Sequence, residues 1–167
     1  ILAGVMTTGI LPLIEMPFGF TTNIKLLEHA NLDQPLLREF MVQAPGSYHH
    51  SVITSNMVEA TAKAVDANPL LAKVSAYYHD IGKMADPEIF SENQSVWKNP
   101  HDDLDPQESA KLIINHVTHG AKIASQMKLP EIIVGLILQH HGTQLVEYFY
   151  NKAVKTSQGD EVRKEDF

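Results

Sequence analysis

The chain has 167 residues, 44% of them apolar, which suits one domain with a core of its own. It has no cysteine, so a disulfide framework and a thiolate zinc site are excluded. Its net charge of -7, with no block of Lys or Arg, argues against duplex nucleic acid as a partner.

The first residue is Ile, and Ile1 to Ile14 is almost wholly apolar. A spanning helix needs about 20 such residues. This run is shorter and is ended by Pro12, Glu15 and Pro17. It reads either as a docked segment or as the exit of a membrane helix from a longer protein, and it lacks the basic start of a signal peptide. Residues 1–22 are therefore set apart from a domain expected over 23–154, with a charged, mobile tail over 155–167.

Apolar spacing is helical nearly throughout, so an all-α bundle is expected. Asn23 to Ala30 reads as a short helix. Asp33 is a candidate cap for the next, with Pro35 in its first turn and Leu36, Leu37, Phe40 and Met41 inward. Ala44-Pro45-Gly46 breaks it. A long helix from Ser47 to about Asp66 has Val52, Ile53, Met57, Ala60, Ala64 and Val65 as its apolar face. Asn68-Pro69 opens a helix that carries His79-Asp80 at its end, just before Gly82. A long polar loop follows over 85–106. Asp105-Pro106 starts a helical region reaching Lys128, with a break expected around His116 to Gly120. Leu129-Pro130 opens a helix that ends at His140-His141-Gly142, and Leu145 to Val154 forms one more.

Four histidine-bearing places stand out: His49-His50, His79-Asp80, His116 and His140-His141. Imidazole and carboxylate without thiolate make a site for hard or borderline divalent metals, which activate water against phosphate esters. His79-Asp80 and His140-His141 each end a helix, where free carbonyls favour a cation by about 0.3–1 kcal/mol. A glycine close behind each pair permits a tight exit. Neighbouring residues on a helix point about 100° apart, so the members of a pair can serve different metals, and Asp80 can bridge two ions. Lys83, one turn on, is read as a phosphate contact in preference to a solvated helix cap. A lone histidine is more often a satisfied polar side chain than a ligand, and His29, His101 and His119 are left at that level.

Tyr78-His79-Asp80-Ile81-Gly82-Lys83 resembles the HD-domain metallophosphohydrolases. Ala44-Pro45-Gly46-Ser47-Tyr48-His49-His50-Ser51, Glu92-Asn93-Gln94, Asn99-Pro100-His101-Asp102 and Gln139-His140-His141-Gly142-Thr143 narrow this to the "7TM receptor with intracellular HD hydrolase" family. Those are the PgpH-type cyclic di-AMP phosphodiesterases. The resemblance runs to about Ala153. It implies metal ligands at His50, His79, Asp80, His116, His140 and His141, choosing His50 over His49. It implies two divalent ions, iron or manganese, and hydrolysis of cyclic di-AMP to linear pApA in second-messenger signalling. From the chemistry of the residues, Asp80 and Lys83 are expected to be catalytic, Asp80 by orienting water and Lys83 by offsetting charge on the phosphate. Asn93, Thr143 and Tyr148 are expected substrate contacts beside Lys83, and Asn99, His101 and Tyr150 weaker ones.

By the same resemblance Ile1 to Phe18 is the end of a membrane helix. The parent protein is then expected at the cytoplasmic face of the cell membrane and this piece is expected to be soluble; a homo-oligomer is compatible with the pattern. The family's further Asp ligand, in a later helix, has no counterpart here. Two alternatives stand beside this reading. One is an HD-type phosphohydrolase of another cyclic dinucleotide or nucleotide, although the Gly-Tyr-Pro motif of the cyclic di-GMP branch is absent. The other is a non-catalytic nucleotide-binding sensor.

Overall fold

The computed structural model describes residues 10, 21–94, 99–157 and 161–167. The apolar N-terminal run falls almost wholly outside them. Among the described residues there are helices and turns and no strand, as an all-α bundle requires. The described residues include seven α-helices: α1 Asn23–His29, α2 Pro35–Gln43, α3 Pro45–Ala64, α4 Pro69–Tyr78, α5 Pro106–Gln126, α6 Glu131–Gln139 and α7 Glu147–Thr156. A 3-10 turn, Ile81–Ala85, follows α4, and three shorter ones (Pro87–Ile89, Ser91–Asn93, Pro100–Asp102) shape the long polar loop.

Side-chain caps start several helices where they were expected. Asn68 Oδ1 accepts from the backbone N–H groups of Leu70 and Leu71, and Asp105 caps α5 through Gln107 N–H. Asp33 does not cap α2. The N-cap is Gln34, without a side-chain bond, and the Asp33 carboxylate pairs with Arg38 at 2.8 Å. Proline at the first position supplies the helical φ there. Helices α3 and α5 end in Schellman turns. The N–H groups of Ala67 and Leu129 reach back to Ala62 O and Ala124 O, with Asp66 and Lys128 at φ 57° where glycine is usual.

The main core gathers Leu26, Leu37 and Phe40 with Val74 and Tyr78, Ile81, Ala124, Ile133 and Ile137. Tyr78 is fully enclosed, and its hydroxyl donates to His29 O at 3.1 Å. A second cluster joins Ala110 and Phe149 to Phe167.

The buried face of α3 differs from the expected one. Ser47, Ser51 and Ser55 are buried, whereas Ile53, Met57 and Val65 are exposed. Ser47 is covered by the long loop, its hydroxyl bonded to Glu92, and α3 packs closely along α4; a small side chain suits such a close seat better than apolar bulk. Met41 is likewise exposed. Helix α5 runs unbroken through His116 to Gly120. The charged end, expected to be a mobile tail, folds back over residues 161–167: Phe167 is 5% exposed, and its carbonyl accepts from Val146 N–H.

The feature that fixes the site is the contact of the Ile81–Ala85 turn with α5. A Cβ on Gly82 would lie 1.8 Å from His116 O and 2.5 Å from Gly120 N. Main chain meets main chain there, and only a residue without a side chain fits. Gly82 is thus required for close approach rather than for a left-handed exit turn; Gly142, at φ +57°, does adopt that turn.

Gly82→Ala is expected to lower stability by about 3 kcal/mol or more in denaturant unfolding, the upper end of overpacking costs. Gly135→Ala, inside α6 with only the Gln139 side chain near, should instead raise it by about 0.5–1 kcal/mol.

Candidate metal centre

Asp80 follows directly on the end of α4 and is 2% exposed. The turn at Gly82 seats its carboxylate beneath α5. Oδ1 faces His116 Nε2 at 3.4 Å and His140 Nε2 at 3.8 Å. Oδ2 faces His79 Nε2 at 3.2 Å and Lys83 Nζ at 2.9 Å. The two oxygens therefore serve two groups of rings. One group is Asp80, His116, His140 and His141; the other is His50, His79 and Asp80, and within each the donor atoms lie within 4.8 Å of one another.

Each element places its donor atom for a local reason. His79 and His140 are the C-cap residues of α4 and α6. Their Nδ1–H groups donate to the carbonyls three residues back, Ala76 O at 2.8 Å and Ile137 O at 2.7 Å. His116, inside α5, makes the same bond to Ile113 O. A carbonyl only accepts, so Nδ1 carries the proton in all three rings, and each Nε2 turns toward Asp80. His50 lies on the second turn of α3, its ring centroid 5.6 Å from that of His79 and its Nε2 3.4 Å from Thr54 Oγ1.

Charge follows from burial and neighbours. Burial alone would raise the Asp80 carboxyl, but the His79 ring and the Lys83 ammonium hold it far below the usual carboxylate range. Burial opposes charge on His79 too, yet the hydrogen bond and charge of Asp80 raise it. Burial is the main cause that lowers His116 and His141, and it pushes His140 down to about 4.

These directions test the donor set against a metal. His116 Nε2 and His140 Nε2 lie 3.2 Å apart, and neither bears the ring proton. Two lone pairs then face each other in a buried place where an imidazolium is disfavoured. A cation shared by both nitrogens and Asp80 Oδ1 removes that conflict. All-nitrogen and oxygen donors suit a borderline or hard divalent ion.

All six expected ligands thus converge. His49 is solvent-exposed beside them and belongs to neither group. His140 and His141 fall in the same group, contrary to the expectation that neighbours divide between two ions. The 100° rule applies inside a helix, and these two lie at and beyond the end of α6, rings 4.0 Å apart.

The expected substrate contacts fare differently. Lys83 is largely enclosed, bonded to Asp80 and to Glu92 at 2.8 Å, with its ammonium 4.8 Å above the Phe90 ring. Its amine is held by carboxylates, so it acts on Asp80 before it can act on a ligand. The Asn93 amide is taken up by Ser47: Oδ1 accepts from Ser47 N–H and Nδ2 donates to Ser47 Oγ. Asn99 caps His101 N–H, and His101 is buried against Ile89 O and Phe149. Tyr150 packs on Phe167 and Tyr148 is exposed. Thr143 lines a cleft of roughly 580 Å3 that also touches His116, His141, Leu138 and Leu145. Glu92 and Phe90 were not foreseen as site residues: Glu92 was marked only as part of the motif Glu92-Asn93-Gln94, and a lone aromatic in a polar loop has no periodicity to mark it.

Comparison with known proteins agrees with this geometry. The chain is 46% identical over 165 residues to the cyclic-di-AMP phosphodiesterase PgpH of Bacillus subtilis (strain 168), covering 99% of this chain and 23% of that protein. It is 43% identical over 165 residues to PgpH of Listeria monocytogenes serotype 1/2a (strain 10403S), with the same coverage. It spans less than a quarter of the length of these relatives. The crystal structure of the L. monocytogenes PgpH HD domain in complex with cyclic-di-AMP matches at TM-score 0.77 and 44% identity, over 82% of this chain and 63% of that one. The HD-domain family model matches residues 47–164, the stretch that holds every member of the histidine–aspartate cluster, and the chain belongs to that family.

Proposed function

We propose that this chain is the hydrolase domain of a metal-dependent phosphodiesterase that cleaves cyclic di-AMP to linear pApA. The observation that carries the proposal is the pair of donor groups joined at Asp80, in a chain similar to an HD domain crystallised with cyclic-di-AMP. His50, His79 and Asp80 would hold one ion, and Asp80, His116, His140 and His141 a second, with iron or manganese as the metals. Such ions supply a water of lowered pKa and positive charge opposite the phosphoryl oxygens.

The residues of the chain do the rest. Nδ1–H bonds to backbone carbonyls hold His79, His116 and His140 in one tautomer. Asp80, kept ionised, presents one oxygen to each group. Lys83 holds that carboxylate in place and adds positive charge near the phosphate. The cleft beside His116 and His141 has apolar walls in Ile113, Val117, Leu138 and Leu145, with Thr143 and Gln144 at its polar side. It suits a nucleobase, which is flat and apolar on its faces with polar edges. Exposed Tyr148 offers a stacking surface close in sequence to Thr143.

Among the described residues no helix is long and apolar enough to cross a membrane. We place the domain at the cytoplasmic face of the cell membrane on the likeness of Ile1 to Phe18 to a membrane-helix exit, in a chain similar to PgpH.

Asp80→Ala is expected to cut cyclic di-AMP turnover by at least ~10³ and to lower bound metal in elemental analysis of the same sample. Turnover at the wild-type rate, or a wild-type preference for cyclic di-GMP or dNTPs in substrate profiling, would sink the proposal.

Acid should empty the two groups unequally. Imidazolium cannot ligate, and His79 is raised above the usual histidine value while His140 is lowered to about 4. As pH falls into the histidine range, protons compete first at His79, so one ion is lost while the other persists to lower pH. Metal content measured across that range checks it; simultaneous loss of both ions contradicts it.

A further inference from the structure

Outside the two donor groups, one set of polar contacts reaches into the centre from the long loop. Glu92 Oε1 accepts from Lys83 Nζ at 2.8 Å and from Ser47 Oγ at 2.7 Å. Lys83 Nζ lies 2.9 Å from Asp80 Oδ2. Asn93, the next residue, accepts from Ser47 N–H at 3.0 Å and so caps the start of α3 from 46 residues downstream. The seating is tight, since a Cβ on Gly46 would lie 1.9 Å from Glu92 O. Ser47 and His50 are one turn apart on α3. A continuous chain of bonds therefore runs from the helix that bears His50, through Glu92 and Lys83, to one oxygen of Asp80.

That oxygen is Oδ2, which faces His79 and belongs to the His50 side of the centre. Oδ1 faces His116 and His140. Lys83 and a metal ion on the His50 side must share the same oxygen. Glu92 offers the ammonium a second carboxylate at 2.8 Å, against 2.9 Å to Asp80. Without it, the whole charge of Lys83 falls on Oδ2 and competes with the ion.

We propose that Glu92 is a positioning residue. By drawing part of the Lys83 charge off Asp80 Oδ2, it sets the cation affinity of the His50–His79–Asp80 group and leaves the His116–His140–His141 group unaffected. The inference rests on the reading that these two groups hold metal. It concerns a residue that bonds Lys83 and Ser47 rather than any of the six donor residues, and that acts through Lys83.

The test is titration of the metal-free chain with Mn2+, with free ion followed by its paramagnetic resonance. Glu92→Gln is expected to weaken one of two uptake steps by about 10–100-fold, the usual scale for a group behind a ligand. The other step should stay within about threefold, the scatter expected of uncoupled sites. In a Lys83→Met background, Glu92→Gln should have no further effect on either step, which damage to packing alone would not produce. Ser47→Ala removes one of the two anchors of Glu92 and should weaken the same step by a smaller factor, so it serves if Glu92→Gln does not fold. Equal weakening of both steps, an unresponsive Glu92→Gln, or an undiminished effect in the Lys83→Met background overturns this inference alone. A wild-type chain that takes up no Mn2+ overturns the metal reading beneath it, and this inference with it.

Discussion

A single buried carboxylate organises this molecule. Asp80 sits where the end of α4, the following turn, α5 and α6 meet, and it stays ionised there because a lysine and an imidazole face it. A charge in such a place is costly unless paired. Its neighbours answer that cost: Lys83 on one oxygen, rings on both, and the turn at Gly82 drawn tight against α5. The three rings are aimed by their own helices, through bonds from Nδ1 to carbonyls three residues back. The fold and the donor arrangement are thus one construction.

Much of the architecture was legible in the residues, and the exceptions share a cause. Caps and prolines at Asn68-Pro69 and Asp105-Pro106 mark helix starts by local chemistry, and these were readable. The inward face of α3 was not, because hydrophobicity predicts burial only where volume is wanted. Along α3 the buried positions are the small ones, Ser47, Ser51 and Ser55, with Ser47 seated tightly under Glu92 and Asn93, while Ile53 and Met57 stay exposed. The same limit applied to the end of the chain. Its charges suggested a solvated tail, while one aromatic, Phe167, finds Phe149 and Tyr150. The expected break in α5 failed because Gly120 is there for the sake of Gly82, not as a helix breaker.

The candidate site was legible to the extent that its chemistry is carried by residue type. Histidines and an aspartate at helix ends suggest a cation before any coordinate is known, and the family resemblance chose His50 over His49. Tautomers, which oxygen faces which ring, and the partners of Lys83 depend on angles that no spacing encodes. Loop residues are hardest to read this way. Asn93 offered itself as a ligand contact by its polarity, yet its amide completes the first turn of α3.

The Gly82–Gly120 contact has one more consequence. Because backbone touches backbone with nothing between, the turn and α5 have no intermediate spacing at which Asp80 and His116 partly meet. Any ion captured between those two residues would act as a rivet through the middle of the bundle. Occupancy would then be linked to global folding, with protection against heat rising as the logarithm of free metal.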